Sequence, residues 1–236
     1  PVAGGSVDAD LLNQRGWFDV TFGLNDFDSL DIASITDLDP EFTVTIAEGS
    51  TLNLIPRLLS GSLDAAIVHL PIEDDNLLST PLFAEDLVLL VHANHEWSKL
   101  QKITIKELSS RPLLLPPKNN SLRKILDRAA GSQRLVLTPQ AEIDGVRLLT
   151  SLAFEGFGAA VVPATAAPGW IKGEFKRVEI PELPRRVVGL VQRARPLPSK
   201  STTAISTLIR EVVTKYGDKQ PGIHIGKEAF PLNRKP

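Results

Sequence analysis

Hydrophobic and polar positions along this chain switch repeatedly between the alternation of strands and the three- and four-residue spacing of helices. Residues 42–47 alternate apolar and polar side chains and predict a strand. A helical apolar pattern follows it and ends at Gly61, a residue that commonly stops helices. Because proline is tolerated best in a first turn, Pro56 predicts that the regular helix begins near Asn53. Strands that alternate with amphipathic helices are typical of an α/β fold with parallel sheets.

The same alternation continues to residue 216. Further strands are predicted at residues 18–24, 63–70, 86–91, 112–115, 159–162, 178–180 and 186–192, and another within 134–143. The side chains of Thr104, Ser121 and Asp144 can each cap a helix that follows them, and a last helix is predicted over 201–216. Residues 217–236 lack a clear period and are rich in proline, glycine and lysine, so we expect a surface tail.

Composition narrows the classes of protein that fit. The chain has 236 residues and 26 Lys and Arg against 28 Asp and Glu, a net charge of −2. It therefore lacks the overall basic character of a nucleic-acid-binding domain. The absence of cysteine excludes a disulfide framework, thiolate metal sites and a cysteine nucleophile. The first fifteen residues have no secretory signal pattern and no apolar run is long enough to cross a bilayer, so we expect a cytoplasmic protein without membrane contact.

Six stretches of sequence follow one another along the chain: FTVTIAEGST at 42–51, LLSGSLDAAIVHLP at 58–71, PLFAEDLVLLVHANH at 81–95, RPLLLPPKNNSLRKIL at 111–126, AEIDGVRLLTSLAFEGFGAAVVP at 141–163 and LPRRVVGLVQR at 183–193. In this order and at this spacing, they resemble the effector-binding domain of LysR-type transcriptional regulators. The resemblance runs from about residue 18 to 216, and its most specific part is the succession EGST, GSLDAAIV and EGFGAAVVP. GLNDFDSLD at 23–31 is similar to the opening of members that sense aromatic compounds.

The resemblance implies two Rossmann-like α/β lobes with a double crossover, an architecture of the periplasmic-binding-protein type II kind. Lobe one would comprise residues 18–80 plus 183–216, and lobe two residues 83–182. Residues 1–17 would be a linker remnant, and 217–236 the C-terminal tail. The family's N-terminal helix-turn-helix domain is absent from this sequence, so DNA binding belongs to the parent protein.

The resemblance also implies an effector cleft between the lobes. Helix N-termini there carry free N–H groups and partial positive charge, which favour a carboxylate. Each candidate has a purely structural alternative as a helix cap, a turn residue or a strand end. Asp144 is interpreted as a cap, since its charge would repel an anion. The candidate effector-binding residues are Asn25, Asp26, Phe27, Ser50, Thr51, His69, Pro117, Lys118, Asn119 and Asn120.

The favoured function is small-molecule sensing by a regulator that forms homodimers or homotetramers. The alternative is a solute-binding protein that delivers its ligand to a transporter, because it shares the two-lobed fold. No nucleophile or acid–base constellation predicts an enzyme, so we expect no catalytic residues and no cofactor. His92 and His95 do not predict a metal site, because no third ligand lies near them in sequence.

Overall fold

The computed structural model describes residues 44–167, 169 and 173–226. The helices and strands of this part lie in one compact unit that begins at Ile46. Three single 3₁₀ turns cover Glu96–Lys99, Ala164–Ala166 and Gly217–Lys219. In chain order, the elements are α1 (Thr51–Leu59), β1 (Ala65–His69), β2 (Leu77–Glu85), β3 (Leu87–His92), α2 (Ile105–Leu108), β4 (Leu113–Leu115), α3 (Ser121–Ser132), β5 (Pro139–Glu142), α4 (Val146–Phe154), β6 (Ala160–Pro163), β7 (Phe175–Glu179), β8 (Arg186–Arg193), α5 (Lys200–Tyr216) and β9 (Ile223–His224).

The first sheet has the strand order β1-β8-β2-β9, and every pairing in it is antiparallel. Helix α1 covers one face, where its buried Leu54 and Leu58 pack with Val68 and Val191. Helix α5 is tied to β8 by a hydrogen bond from Gln192 to Ser206. We call this sheet with α1 and α5 lobe one.

The second sheet has the order β5-β4-β6-β3-β7 and mixes parallel with antiparallel pairs. Its inner strands β4, β6 and β3 are buried on both faces because helices pack on each side, whereas the edge strand β5 is exposed. One apolar cluster joins Leu89 and Leu113 to Leu126 of α3, and the other joins Leu90 to Leu149 of α4. We call this sheet with α2, α3 and α4 lobe two.

The chain passes between the two sheets twice. It leaves the first sheet at Asp86, between β2 and β3, and returns to it between β7 and β8. Two sheets joined by such a pair of crossovers match the double crossover expected from the sequence.

Two features near the start of the described chain differ from the sequence prediction. Residues 44–50 form no strand, because a strand needs a hydrogen-bonded neighbour and no described residue pairs with them. The predicted strand at 18–24 lies outside the described residues. Helix α1 begins at Thr51 rather than near Asn53, so Pro56 lies inside it, where the exposed proline ring is tolerated at the loss of one backbone hydrogen bond.

The sequence pattern also missed two strands of lobe one. Strand β2 is interrupted by Pro81 and has a register shift between Pro81 and Phe83, which hides its periodicity. Proline is accepted there because β9 pairs only with Ala84 and Glu85, and no other described strand pairs with the outer edge of β2 at Pro81. Strand β9 itself lies within the segment predicted as a surface tail.

Of the three predicted helix caps, one is confirmed and two are wrong. Thr104 caps α2 as predicted, in a reciprocal capping box with Glu107. The prediction for Ser121 is wrong, since Asn120 supplies the cap and Ser121 is the first helical residue. The prediction for Asp144 is also wrong, because Gly145, at φ +117°, occupies the cap position and no side chain caps α4.

Candidate functional site

Three chain segments converge on a cavity of about 130 Å³. They are the N-terminus of α1 and the end of β1 in lobe one, and the N-terminus of α3 in lobe two. The cavity is therefore bounded by residues of both lobes. Its lining residues are Ser50, Thr51, Leu52, His69, Pro71, Ile72, Asn119, Asn120, Ser121 and Lys124.

The two hydroxyl side chains at the start of α1 are not used by the helix. Ser50 occupies the cap position, yet its side chain makes no capping hydrogen bond. Its backbone carbonyl accepts hydrogen bonds from the N–H groups of Asn53 and Leu54, both at 2.9 Å. Within the described part of the chain, neither the Ser50 nor the Thr51 hydroxyl bonds to another residue. Both hydroxyls are therefore free to bind a ligand.

The N-terminus of α3 is built differently. The Asn120 side-chain oxygen accepts a hydrogen bond of 2.8 Å from the Leu122 N–H, so this side chain is committed to capping. Asn119 precedes it and is exposed. Lys124 lies one helical turn after Asn120 and brings an ammonium group to the cavity.

His69 ends β1 at the wall of the cavity and is half-buried. Burial lowers the pKa of His69 to about 4, and the positive charge of Arg186 adds to that effect. The imidazole is therefore neutral at pH 7. In that form it offers one N–H donor and one nitrogen acceptor to a ligand.

The charged groups that line the cavity have one sign. Lys124 is cationic, and the N-termini of α1 and α3 each add partial positive charge. No described residue that lines the cavity carries a carboxylate. The apolar side chains of Leu52, Pro71 and Ile72 complete the wall. The cavity is suited to a small anion that also has an apolar surface.

The structure brings five of the candidate residues predicted from sequence to one cavity: Ser50, Thr51, His69, Asn119 and Asn120. Lys118 lines a different hollow, of about 560 Å³, beside Arg123 and Asp127, and Pro117 lines neither. Asn25, Asp26 and Phe27 lie outside the described residues.

Sequence reasoning did not select Leu52, Pro71, Ile72 or Lys124 as lining residues, and it treated Ser121 only as a cap. Lys124 could have been predicted from the sequence as a lining residue, because a residue one turn into a helix lies near that helix's N-terminus.

Two further properties of the described residues bear on function. No cluster of three or more His, Asp or Glu side chains that could hold a metal ion occurs among residues 44–167, 169 and 173–226. No helix in that same part of the chain is long and apolar enough to cross a membrane.

A family model for the LysR substrate binding domain matches residues 32–214. The match covers more than half of the 236 residues, so the chain belongs to this family.

Several relatives are similar to this chain. The probable hydrogen peroxide-inducible genes activator of Mycobacterium leprae is 29% identical over 192 residues, which cover 78% of this chain and 60% of the relative. The DNA-binding transcriptional dual regulator OxyR of Escherichia coli is 29% identical over 174 residues, 68% of this chain and 54% of OxyR. The chain thus spans 60% or less of the length of these relatives.

Solved structures share the fold. The effector-binding domain of QuiR in complex with shikimate has a TM-score of 0.61 at 19% identity, covering 71% of this chain and 80% of that one. HinK, a LysR family transcriptional regulator from Pseudomonas aeruginosa, has a TM-score of 0.62 at 16% identity, covering 76% and 63%. The two-lobed α/β fold expected from the sequence is confirmed.

Proposed function

We propose that this domain senses a small carboxylate bound between its lobes and transmits occupancy to a DNA-reading domain of a longer regulator. The observation that carries the proposal is the cavity where two helix N-termini and Lys124 meet without a lining carboxylate. Ligand oxygens would accept hydrogen bonds from the free hydroxyls of Ser50 and Thr51, and one from neutral His69. Asn25, Asp26 and Phe27 remain candidates by resemblance.

The size of the cavity limits the effector. About 130 Å³ is close to the volume of roughly 150 Å³ that accommodates benzene in an engineered cavity of another protein. A single ring or a short chain with one carboxylate would fill it, with the apolar part against Leu52, Pro71 and Ile72. Lys118, which is exposed, and Pro117, which is half-buried, would contact the effector from the rim once the lobes close on it.

Several relatives are named as hydrogen peroxide-inducible activators. Peroxide sensing by a protein thiol requires a cysteine that is oxidised to sulfenic acid or a disulfide. This sequence contains no cysteine. Its 236 residues therefore cannot carry thiol-based peroxide sensing, which favours reversible binding of an organic effector.

The proposal extends from this domain to the whole regulator. We place DNA binding in an N-terminal helix-turn-helix domain outside these residues, and we place the protein in the cytoplasm as a homodimer or homotetramer. The lobes would comprise residues 18–80 plus 183–216, and residues 83–182, with the first boundary moved to Asp86 because β2 belongs to the first sheet through Glu85. Binding can control DNA affinity only if the effector prefers one arrangement of lobes or subunits. The relatives' names, which describe gene regulators, favour this function over transport.

The test is the thermal stability of the chain against benzoate, shikimate, succinate and the amide analogues of these acids. A ligand at one hundred times its dissociation constant stabilises a protein by about 2.7 kcal/mol. That corresponds to a rise in Tm of roughly 5–10 °C at this size. We expect at least one acid to raise the Tm while its amide does not. Equal responses to acid and amide would contradict an anion site, and Lys124→Gln is the matched variant, expected to weaken the response to the acid alone.

A further inference from the structure

A short segment after α5 lies against the first crossover. It comprises residues 217–226, contains the Gly217–Lys219 turn and β9, and is called the strap below. It follows residue 214, where the match to the family domain ends. The two-lobed fold does not by itself account for it.

The strap is bonded to lobe one along β2. His224 and Ile223 of β9 pair with Ala84 and Glu85. The His224 imidazole lies 2.9 Å from a carboxylate oxygen of Asp86, the residue at which the chain leaves the first sheet. These contacts fix the strap on the last residues before the crossover.

The strap also touches lobe two. Gly222 has a φ of +78°, and a Cβ atom placed there would lie only 2.8 Å from the Cβ of Ala164, in the turn after β6. Asp86 connects these two residues through its backbone, because its N–H donates to Gly222 at 2.8 Å and its carbonyl accepts from Ala164 at 3.0 Å. Pro221 also packs close to Gly169 of lobe two. The strap therefore fills the space between the edge of the first sheet and lobe two.

Beside the strap, the two crossovers are joined to each other. Arg186, at the start of β8, donates two hydrogen bonds to the fully buried Glu85 carboxylate, at 2.8 and 3.1 Å. The other oxygen of Glu85 accepts from the backbone N–H and the hydroxyl of Thr165, in lobe two. Arg185 pairs with Asp86 at 3.1 Å. The strap covers the residues about which any rotation of the lobes would occur.

We infer that the strap is a hinge lock: seated between β2 and the turn at Ala164, it sets the angle between the two lobes. Displacing it would free the crossover at Asp86 and let the lobes rotate, which changes the width of the cleft between them. The inference rests on contacts at the hinge alone, so it does not depend on which effector the cleft binds.

Gly222→Ala tests the lock, because the new methyl group meets Ala164 at a backbone conformation that already disfavours alanine. Gly226→Ala is the matched control, since Gly226 also has a positive φ, of +90°, but a Cβ atom there has no neighbour within 4 Å. Adding Ala164→Gly to the Gly222→Ala variant removes the clashing atom and should restore the strap. Circular dichroism checks that each variant is folded.

The lobe angle is measured by double electron–electron resonance between spin labels on Arg57→Cys in α1 and Arg128→Cys in α3, both exposed positions. Because the chain has no other cysteine, only these two sites take the label. Hydrogen exchange of the Asp86 N–H reports whether the strap is seated, since that group donates to Gly222. We expect Gly222→Ala to speed this exchange by roughly tenfold and to broaden or shift the distance distribution. We expect Gly226→Ala to leave both unchanged. The double variant should restore both in large part, since only the strain of alanine at the positive φ of residue 222 remains.

The inference is overturned if the Asp86 amide of Gly222→Ala exchanges fast while the distance distribution stays as in the unmodified chain. If that amide remains protected, a chain ended after Tyr216 takes the place of the variant. An unchanged distribution in that shortened chain would equally overturn the inference, and a broadened one would support it.

Discussion

The cleft and the hinge, two parts of the boundary between the lobes, are built in opposite ways. At the cleft, the Ser50 and Thr51 hydroxyls bond to no other described residue, and the ion pair nearby, Glu48–Arg147, is exposed at 61% and 79%. At the hinge, the Glu85–Arg186 pair is exposed at only 0% and 13%, and both Glu85 oxygens accept hydrogen bonds. At the cleft, polar groups stay available for a ligand, whereas at the hinge they bond to one another.

This difference matches the two tasks of a sensor. A binding site needs polar groups that a ligand can satisfy, because a group already bonded to the protein gains little from the ligand. A pivot needs bonds that survive while the rest of the boundary opens and closes. Since exposed ion pairs contribute about 0–1 kcal/mol, Glu48–Arg147 can break on opening at little cost.

The largest expected loss of stability comes from a substitution at the hinge. Glu85→Gln removes the negative charge opposite Arg186 and leaves a nearly buried guanidinium uncompensated, which should lower the free energy of unfolding by about 3–5 kcal/mol. Glu48→Gln is the matched control at the cleft and should change it by less than about 1 kcal/mol. Denaturant unfolding measures both. Similar small losses in the two variants would remove the contrast between hinge and cleft.

The second prediction concerns the cleft itself. The double variant Ser50→Ala with Thr51→Ala removes two donors to the bound carboxylate, each hydrogen bond to a charged group contributing about 1.5–3 kcal/mol. We expect affinity for the acid found in the thermal panel to fall by at least about tenfold, as measured by calorimetric titration. Ser60→Ala, at the other end of α1, should bind normally. Unchanged affinity in the double variant would return both hydroxyls to a structural role.

The third prediction separates a helix cap from a free hydroxyl. Asn120→Ala removes the hydrogen bond to the Leu122 N–H and should lower the free energy of unfolding by about 1 kcal/mol. Ser50→Ala removes no capping bond and should change it by less than about 0.5 kcal/mol, within the range of ordinary surface substitutions. Asn120→Asp, which keeps the acceptor, serves as the rescue. A larger loss for Ser50→Ala than for Asn120→Ala would reverse our assignment.

The last expected effect appears only below pH 6.5, as a change in the slope of the unfolding free energy with pH. Because the folded pKa of His69 is about 4 and the unfolded value about 6.5, the unfolded chain binds more protons between these limits. The contribution of His69 to stability is therefore complete above pH 6.5 and is lost as the pH falls towards 4. His69→Gln should flatten the pH dependence of the unfolding free energy in that window and leave its slope above pH 7 unchanged. An equally steep fall in the variant would show that other groups cause it.

Elements with a strong local pattern could be predicted from the sequence. The apolar runs at β3 and β6 are buried on both faces, and the helical spacing after Ser199 matches α5 within one residue. Thr104 caps α2 as predicted, and Glu107, three residues later, completes a capping box that the prediction did not include. In each case the residues that decide the structure are neighbours in sequence.

Features that depend on distant partners could not be predicted. Strand β2 was hidden by Pro81, which is accepted because, among the described residues, no strand pairs with the outer edge of β2 at that position. Asn120 and Ser121 are both good caps by residue type, and only the backbone course after Pro117 decides between them. Nothing local distinguishes Glu85 from the other acidic residues of the chain.

The sequence by itself determined the order of most strands and helices, the family resemblance, the absence of thiol chemistry and five residues that meet in one cavity. Only the tertiary structure decided that Lys124 joins them, that Ser50 is free while Asn120 is committed, and that the strap lies at the hinge. The physical reason is sequence separation. Glu85 meets Arg186 and Thr165 across 101 and 80 residues, and such contacts follow from sheet register and packing rather than from any local pattern.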